Sequence, residues 1–249
     1  MPMYIYSPAL LVLIQPFYTT IVVSVMPIIM ATLNRAINMT TPLLEQLTPL
    51  GGWQTPGRVR LAPLTAETST RTQRLLMRVI NKVGRLEASN LFLMLMRNFR
   101  LFWNWLMFAK CLMPYGRISR RDTELVILRV GWNCRSRYEW GQHVDIGLRA
   151  GVSAEDIARV PLGADAPGWE PHLKALMQAC DEFHHDRMIG EDSWRVLEAH
   201  YGSRLLLEVV MLIGHYEMLA GVLNSTGLPL DTRLEGVLAA APIHGRSHA

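Results

Sequence analysis

Residues 119–151 constrain the fold most strongly, because they carry two helical patterns in immediate succession. Ser119 and Asp122 predict the start of the first helix, since a serine hydroxyl caps a free backbone N–H and a carboxylate stabilises the positive helix end. Helix-weakening residues predict a break at 132–135. A second helix is predicted from about 136 to 150. The two segments favour an antiparallel helix pair.

Three polar side chains of this pair have the spacing of an acid–base site. Glu139 and His143 are four residues apart, so one helical face presents both. Ser136 shares that face, and an antiparallel pair brings Glu124 over it. A neighbouring carboxylate raises an imidazole pKa and burial lowers it, so His143 is a candidate general acid or base near neutral pH.

The spacing E-x11-S-x2-E-x3-H, formed by Glu124, Ser136, Glu139 and His143, resembles the carboxymuconolactone decarboxylase and alkyl hydroperoxidase D superfamily. In the hydroperoxidase branch, cysteines stand where this chain has Ser136 and Glu139, often with a tyrosine matching Tyr138. The decarboxylase-like branch lacks the cysteine pair and carries a glutamate at the second position, so this chain is more similar to that branch. The resemblance covers about residues 58–235.

The resemblance implies an all-α, hydroperoxidase D-like helical bundle that forms dimers, trimers or hexamers. It also implies a cofactor-free lyase or isomerase acting on a small organic acid, lactone or polyketide-like substrate. In that interpretation His143 moves a proton to or from carbon, and Glu139 orients the His143 ring and tunes its pKa. Glu124 is the second acid or base, and Tyr138 donates a hydrogen bond to a developing enolate oxygen.

The substrate pocket expected from this resemblance is lined by Ser136, Trp132 and Trp140. Simple core packing of the two tryptophans is the alternative. Two other functions also stay open. One is a peroxidase-like antioxidant protein of the hydroperoxidase D type. The other is a non-catalytic helical oligomer in which Glu124 and His143 form a buried structural pair.

The cysteines argue against peroxidase chemistry, which needs a reactive thiolate and a resolving thiol within disulfide reach. Cys134 lies two positions before Ser136 and is predicted to point off the motif face. Cys111 and Cys180 are remote in sequence. All three are predicted to be small buried hydrophobic residues, and their spacing favours a reducing compartment.

Three other histidines are predicted to have structural rather than metal-binding or catalytic roles: His184, His185 and His215. His184 and His185, beside Asp181 and Glu182, lack the spacing of a known metal motif and predict a solvated helix end. His215 lies in an apolar helical pattern typical of a core histidine. No metal and no cofactor are expected.

Composition supports an all-α fold with a sizeable core, because half of the residues are hydrophobic and 18% are charged. The net charge of +4 comes from scattered arginines without interleaved aromatic residues, so nucleic-acid binding is not predicted. Residues 91–113 predict a buried core helix or an oligomer interface, and further helices are predicted at 172–187, 191–201 and 203–226.

The amino-terminal segment has a different character, because residues 1–34 contain no charged side chain. Residues 9–33 are long enough for a membrane anchor, at about 20 residues per crossing. The alternatives are an appendage packed on an oligomer, or a true start at Met30 or Met39. We predict an extension with a linker at 1–57, a domain at 58–235 and a flexible tail at 236–249. A cytoplasmic location is predicted, with membrane anchoring as the alternative.

Overall fold

The computed structural model describes residues 48–84 and 90–234, and all regular secondary structure within these ranges is helical. This confirms the predicted all-α class. The candidate membrane segment at 9–33 and the tail at 236–249 lie outside the described residues, so both remain predictions.

The helices in chain order are α1 (Arg71–Gly84), α2 (Asn90–Leu95), α3 (Phe99–Leu112), α4 (Arg120–Asn133), α5 (Arg137–Arg149), α6 (Ala154–Arg159), α7 (Pro171–Asp186) and α8 (Glu191–Thr226). Short 3-10 turns at Met96–Asn98 and Val160–Asp165 join α2 to α3 and follow α6.

Helix α4 lies at the centre of the fold, packed against α5, α7 and α8. Its four consecutive side chains from Leu125 to Leu128 are at most 1% exposed, so it is buried around most of its circumference. The predicted start is confirmed, because the Ser119 hydroxyl accepts a hydrogen bond from the Asp122 N–H at 3.1 Å. The predicted break is also confirmed, with Arg135 at a φ of 51°.

Helix α8 forms the other long wall of the core. The two helices predicted at 191–201 and 203–226 are confirmed as segments of α8 separated at Gly202, where φ is 70° and ψ is 162°. By length and composition, α8 is the candidate membrane span among the described residues. Its side chains Leu206, Val209 and Leu212 nevertheless lie in the protein core, packed with α4 and α7.

The prediction of one buried helix at 91–113 is wrong. The chain breaks at Met96–Asn98, and the Asn98 side chain accepts a hydrogen bond from the Leu101 N–H, which starts α3 separately. Helix α3 then exposes Leu101 and Trp103 while burying Phe102. The apolar sequence pattern did not distinguish a fully buried helix from one with an exposed apolar face.

Residues 51–61, expected to belong largely to a linker, are tied to the helical domain. The Gln54 N–H donates to the Arg135 carbonyl at 2.9 Å, and the Arg60 N–H donates to the Thr226 carbonyl at 2.7 Å. The Trp53 ring packs on the tryptophans of α4 and α5. This segment therefore covers the ends of α4 and α8.

A nearly buried ion pair joins α4 to α7. The Arg129 guanidinium donates to both carboxylate oxygens of Asp181, at 2.7 and 2.8 Å, and to the Val160 carbonyl at 2.7 Å. Asn133 donates to the same carboxylate at 2.8 Å. The bidentate geometry fixes both the separation and the rotation of the two helices.

Replacing Arg129 tests this link. We expect Arg129→Met to lower the free energy of unfolding by about 3–5 kcal/mol, because the Asp181 charge is left without its main partner. The control is Arg149→Met, which removes an exposed arginine paired with Asp145 four residues earlier and should cost at most about 1 kcal/mol. Urea unfolding measures both. Equal effects would contradict the structural role of the Arg129 pair.

Candidate active site

The α4–α5 pair brings three ionisable side chains into contact, as the antiparallel arrangement requires. His143 Nδ1 lies 2.7 Å from Glu124 Oε2, and His143 Nε2 lies 3.5 Å from Glu139 Oε2. Close approach depends on Gly131, since a Cβ there would lie 3.1 Å from the Glu139 Cβ. Glu124, Glu139 and His143 are at most 4% exposed, so the cluster is enclosed.

Arg120 links this cluster to solvent. Its guanidinium lies 2.7 Å from Glu124 Oε1, one helical turn along α4, and the side chain is 34% exposed. Glu124 therefore lies between a cation that reaches solvent and the imidazole of His143. The buried carboxylate is compensated on both sides, as burial of a charge requires.

The surroundings of His143 favour its charged form. Burial lowers the pKa of the imidazole, but the charge and hydrogen bond of Glu124, assisted by Glu139, outweigh burial and raise it above its usual value. A carboxylate only accepts hydrogen bonds, so the imidazole Nδ1–H donates to Glu124. His143 is thus held as a hydrogen-bond donor rather than as a free base.

Glu139 has the opposite balance. Burial raises the pKa of Glu139, the charge of His143 lowers it, and the charge of Glu124 raises it further. The resulting Glu139 pKa is about 7. Its Oε1 atom is buried and has no hydrogen-bond partner among the described residues. A carboxyl group of this pKa exchanges a proton readily at neutral pH.

Tyr216 of α8 completes the enclosure and was missed by sequence reasoning. Its ring meets the His143 ring edge-on, with centroids 5.3 Å apart, and burial raises the pKa of its hydroxyl well above 10. The neighbouring His215 instead stacks on Trp105, where burial lowers its pKa to about 4. His215 is therefore a neutral core histidine. The only sequence signal for Tyr216 was its position next to His215 on an apolar helix.

Tyr138 is directed to a different set of partners. Its hydroxyl lies 3.3 Å from an Asp231 carboxylate oxygen, accepts from the Leu91 N–H at 3.1 Å, and accepts from the Gln142 amide at 3.3 Å. These contacts tie α5 to α2 and to the chain beyond α8. The hydroxyl hydrogen of Tyr138 is directed to Asp231, so we do not retain Tyr138 as the expected hydrogen-bond donor to an enolate oxygen.

The predicted pocket residues lie in an aromatic cluster. Trp132 and Trp140 have ring centroids 5.1 Å apart, and Trp53 packs against both. Ser136 immediately precedes α5, and its buried hydroxyl has no hydrogen-bond partner among the described residues. The indole N–H of Trp140 is likewise buried without a partner there. Two buried donors, the Ser136 hydroxyl and the Trp140 indole N–H, are thus unused at the start of α5.

The three cysteines differ in environment. Cys180 is fully buried, Cys134 is partly buried, and Cys111 is exposed, so the prediction of three buried cysteines is wrong for Cys111. Burial, followed by the negative charge of Glu217, raises the pKa of the Cys134 thiol far above its usual value. Cys134 therefore stays a protonated thiol at neutral pH and lacks nucleophilic thiolate character.

The predicted solvated helix end at 181–185 is engaged in contacts. His184 Nδ1 lies 2.7 Å from Glu217 Oε1, and Asp181 binds Arg129 as described above. Glu182 accepts hydrogen bonds from the Gly190 N–H and the Ser193 hydroxyl. Asp181 thus joins α7 to α4, His184 and Glu182 join α7 to α8, and none of them takes part in the Glu124 cluster.

Comparisons with known proteins agree with the resemblance in the motif. The model of the carboxymuconolactone decarboxylase family matches residues 100–182, which include Glu124, Glu139 and His143. No curated protein matches the chain at a significant level.

Among solved structures, a peroxidase-related protein from Silicibacter sp. TM1040 superposes with a TM-score of 0.62 and 11% identity, over 72% of this chain and 96% of that one. The alkylhydroperoxidase D core protein from Ralstonia eutropha JMP134 has a TM-score of 0.60 and 12% identity, over 70% and 94%. The debrominase Bmp8 has a TM-score of 0.58 and 12% identity, over 74% and 98%.

At these identities the structural matches establish the shared fold. Residues 100–182 therefore match the carboxymuconolactone decarboxylase family, and the described helices share the fold of alkyl hydroperoxidase D-like proteins.

Proposed function

We propose that this protein is an acid–base enzyme of the lyase or isomerase type, acting on a small organic acid, lactone or polyketide-like substrate, similar to the decarboxylase-like branch. The observation that carries the proposal is the buried Glu124–His143–Glu139 arrangement, in which one carboxyl group has a pKa of about 7 beside a positively polarised imidazole. Paired groups whose environments separate their pKa values are typical of acid–base sites.

The roles differ from the sequence-based hypothesis. There, His143 moved the proton and Glu139 tuned it. We now assign proton transfer to Glu139, because its pKa lies near neutrality, while Glu124 raises the pKa of His143 and favours its charged form. Glu124 is then an electrostatic partner that orients the His143 imidazole. Arg120 pairs with the other carboxylate oxygen of Glu124.

In an isomerisation, the Glu139 carboxylate removes a proton from the carbon next to a substrate carbonyl. The C–H electron pair becomes the enolate, whose oxygen is stabilised by the His143 Nε2–H. The Glu139 carboxylic acid then returns the proton to another carbon of the enolate. In a decarboxylation, loss of carbon dioxide forms the same enolate, and a Glu139 carboxylic acid protonates it. The isomerisation returns Glu139 to its starting carboxylate. The decarboxylation leaves Glu139 as a carboxylate, which takes up a proton from solvent water before the next turnover.

The peroxidase-like alternative has no supporting observation within this site. Ser136 and Glu139 stand where a thiol pair would be needed, and the Cys134 pKa is raised. A cysteine-to-alanine variant of the debrominase Bmp8 was solved with 2,3,4-tribromopyrrole, but that protein shares only the fold with this chain. A non-catalytic oligomer is distinguished by the experiments below.

We also propose a cytoplasmic homo-oligomer. Exposed apolar side chains occur on three helices, including Leu75 on α1, Leu101 and Trp103 on α3, and Leu207 and Met211 on α8. Surfaces of this kind are typical of subunit interfaces. Free cysteines are compatible with a reducing compartment.

Replacing Glu139 separates catalysis from structure. Because the folded protein binds the Glu139 proton more tightly than the unfolded chain, stability falls as pH rises from about 4.5 to about 7. Glu139→Gln removes the free-energy cost of burying an ionised carboxylate at high pH. We expect it to raise the free energy of unfolding at pH 8 by up to about 3 kcal/mol, with little change near pH 4.5. Denaturant unfolding at both pH values measures the effect.

The same variant should lose catalysis by about 10²–10⁴-fold. A screen of small keto acids and lactones in D2O, followed by NMR, detects carbon-bound proton exchange without knowledge of the product. Glu198→Gln, at an exposed position on α8, is the control for both measurements. Destabilisation of Glu139→Gln at pH 8 with unchanged exchange activity would support the structural alternative instead.

Replacing Cys134 tests the peroxidase alternative. We expect Cys134→Ser to retain the proton-exchange activity, because the thiol lies against His184 and Glu217, outside the Glu124 cluster. Coupled assays with an organic hydroperoxide and a dithiol reductant should show no turnover in either protein. Peroxide turnover abolished by this single change would overturn the lyase or isomerase assignment.

A further inference from the structure

A second cluster of ionisable side chains lies outside the Glu124 cluster. Asp122 is in the first turn of α4, His172 in the first turn of α7, and His200 shortly before the break of α8 at Gly202. The carboxylate and imidazole atoms of these residues lie within 4.8 Å of one another. Three separate helices therefore direct their polar groups to one point.

The contacts within this cluster are unlike those of a satisfied hydrogen-bond network. The His172 and His200 rings stack with centroids 3.9 Å apart and planes within 4°. His172 Nε2 lies 3.8 Å from Asp122 Oδ2, which is too long for a hydrogen bond. Two imidazoles and one carboxylate thus converge without bonding to one another.

We propose that Asp122, His172 and His200 bind a divalent first-row transition-metal ion of the zinc type. Imidazole and carboxylate ligands suit zinc, whereas calcium and magnesium prefer oxygen ligands alone. Zinc–ligand bonds are about 2.0–2.2 Å long, so ligand atoms must approach more closely than they do here. His200 is exposed and can rotate to close that distance.

Two neighbouring side chains lie next to these ligands. The Tyr201 hydroxyl donates to Asp122 Oδ2 at 2.8 Å. Glu170 Oε2 lies 3.8 Å from His172 Nδ1, on the other side of the ring from the Nε2 that approaches Asp122. This distance is also too long for a hydrogen bond, and a carboxylate at this position orients a metal-binding imidazole only when the contact shortens.

Nearby positive charge is already neutralised. The Arg121 guanidinium lies 2.9 Å from Asp156 and 3.3 Å from Glu170, which reduces its repulsion of a cation. A second group, Cys134, His184 and Glu217, also has metal-ligand chemistry. There the Glu217 carboxylate is occupied by His184 at 2.7 Å and Arg187 at 3.0 Å, so a cation would have to displace an existing ion pair.

Binding at Asp122 would join the starts of α4 and α7 to α8 beside its break. An ion that binds the folded state alone stabilises it by mass action. With three protein ligands, a tetrahedral ion keeps one position for water or a small anion. The site is independent of the proposed proton transfer at Glu139.

The test is calorimetric titration of the metal-free full chain with Zn²⁺, together with Co²⁺ absorption spectra. We expect one equivalent per chain, a tetrahedral Co²⁺ spectrum and a melting temperature that rises with zinc. His200→Ala, which changes an exposed position, should weaken zinc binding by at least about tenfold and remove the zinc-dependent rise in melting temperature. Circular dichroism checks that the variant is folded.

His184→Gln is the matched control, because it removes a histidine from the competing group. It should bind zinc as tightly as the wild type. The proposal is overturned if the wild type binds no zinc, if His200→Ala binds it unchanged, or if His184→Gln alone loses binding.

Discussion

Burial of charge on α4 is the constraint on which the rest of the described fold depends. This helix is buried around most of its circumference, yet it carries Asp122, Glu124 and Arg129. A buried charge is costly unless it is paired and hydrogen-bonded. Each of the three is met by a different helix: Asp122 by Tyr201 of α8, Glu124 by His143 of α5, and Arg129 by Asp181 of α7. Polar pairing thus sets the positions of the helices around an otherwise apolar core.

The same constraint produces the chemistry of the candidate site. Glu124 is compensated from two sides, by Arg120 and His143, and its charge raises the pKa of the imidazole and so favours the cationic form. Glu139 is buried nearby with one oxygen unpartnered, and it is compensated less completely. Burial therefore raises the Glu139 pKa to about 7. Under the proposed function, this raised pKa prepares Glu139 for proton transfer at a cost in stability.

Local sequence signals predicted the local structure well. The cap at Ser119, the break near Arg135 and the separation at Gly202 each depend on nearby residues, and all are confirmed. The i,i+4 relation placed Glu139 beside His143, and antiparallel packing of α4 and α5 placed Glu124. These inferences needed only helix periodicity and a short connection.

The unpredicted features depend on distant parts of the chain. Tyr138 meets Asp231, 93 residues away, and Tyr216 reaches His143 from α8. The exchange of roles between Glu139 and His143 depends on how completely each charge is compensated, which spacing alone does not reveal. The convergence of Asp122, His172 and His200 required the positions of three helices.

The central claim is that the enclosed cluster holds one carboxyl group ready to exchange a proton near neutral pH. The most direct measurement is a ¹³C NMR titration of the glutamate side-chain carboxyl groups in the full chain, with the Glu139 resonance assigned by its loss in a variant. The account predicts a Glu139 pKa of about 7. A Glu139 resonance that titrates near the ordinary glutamate value of about 4.3 would contradict it.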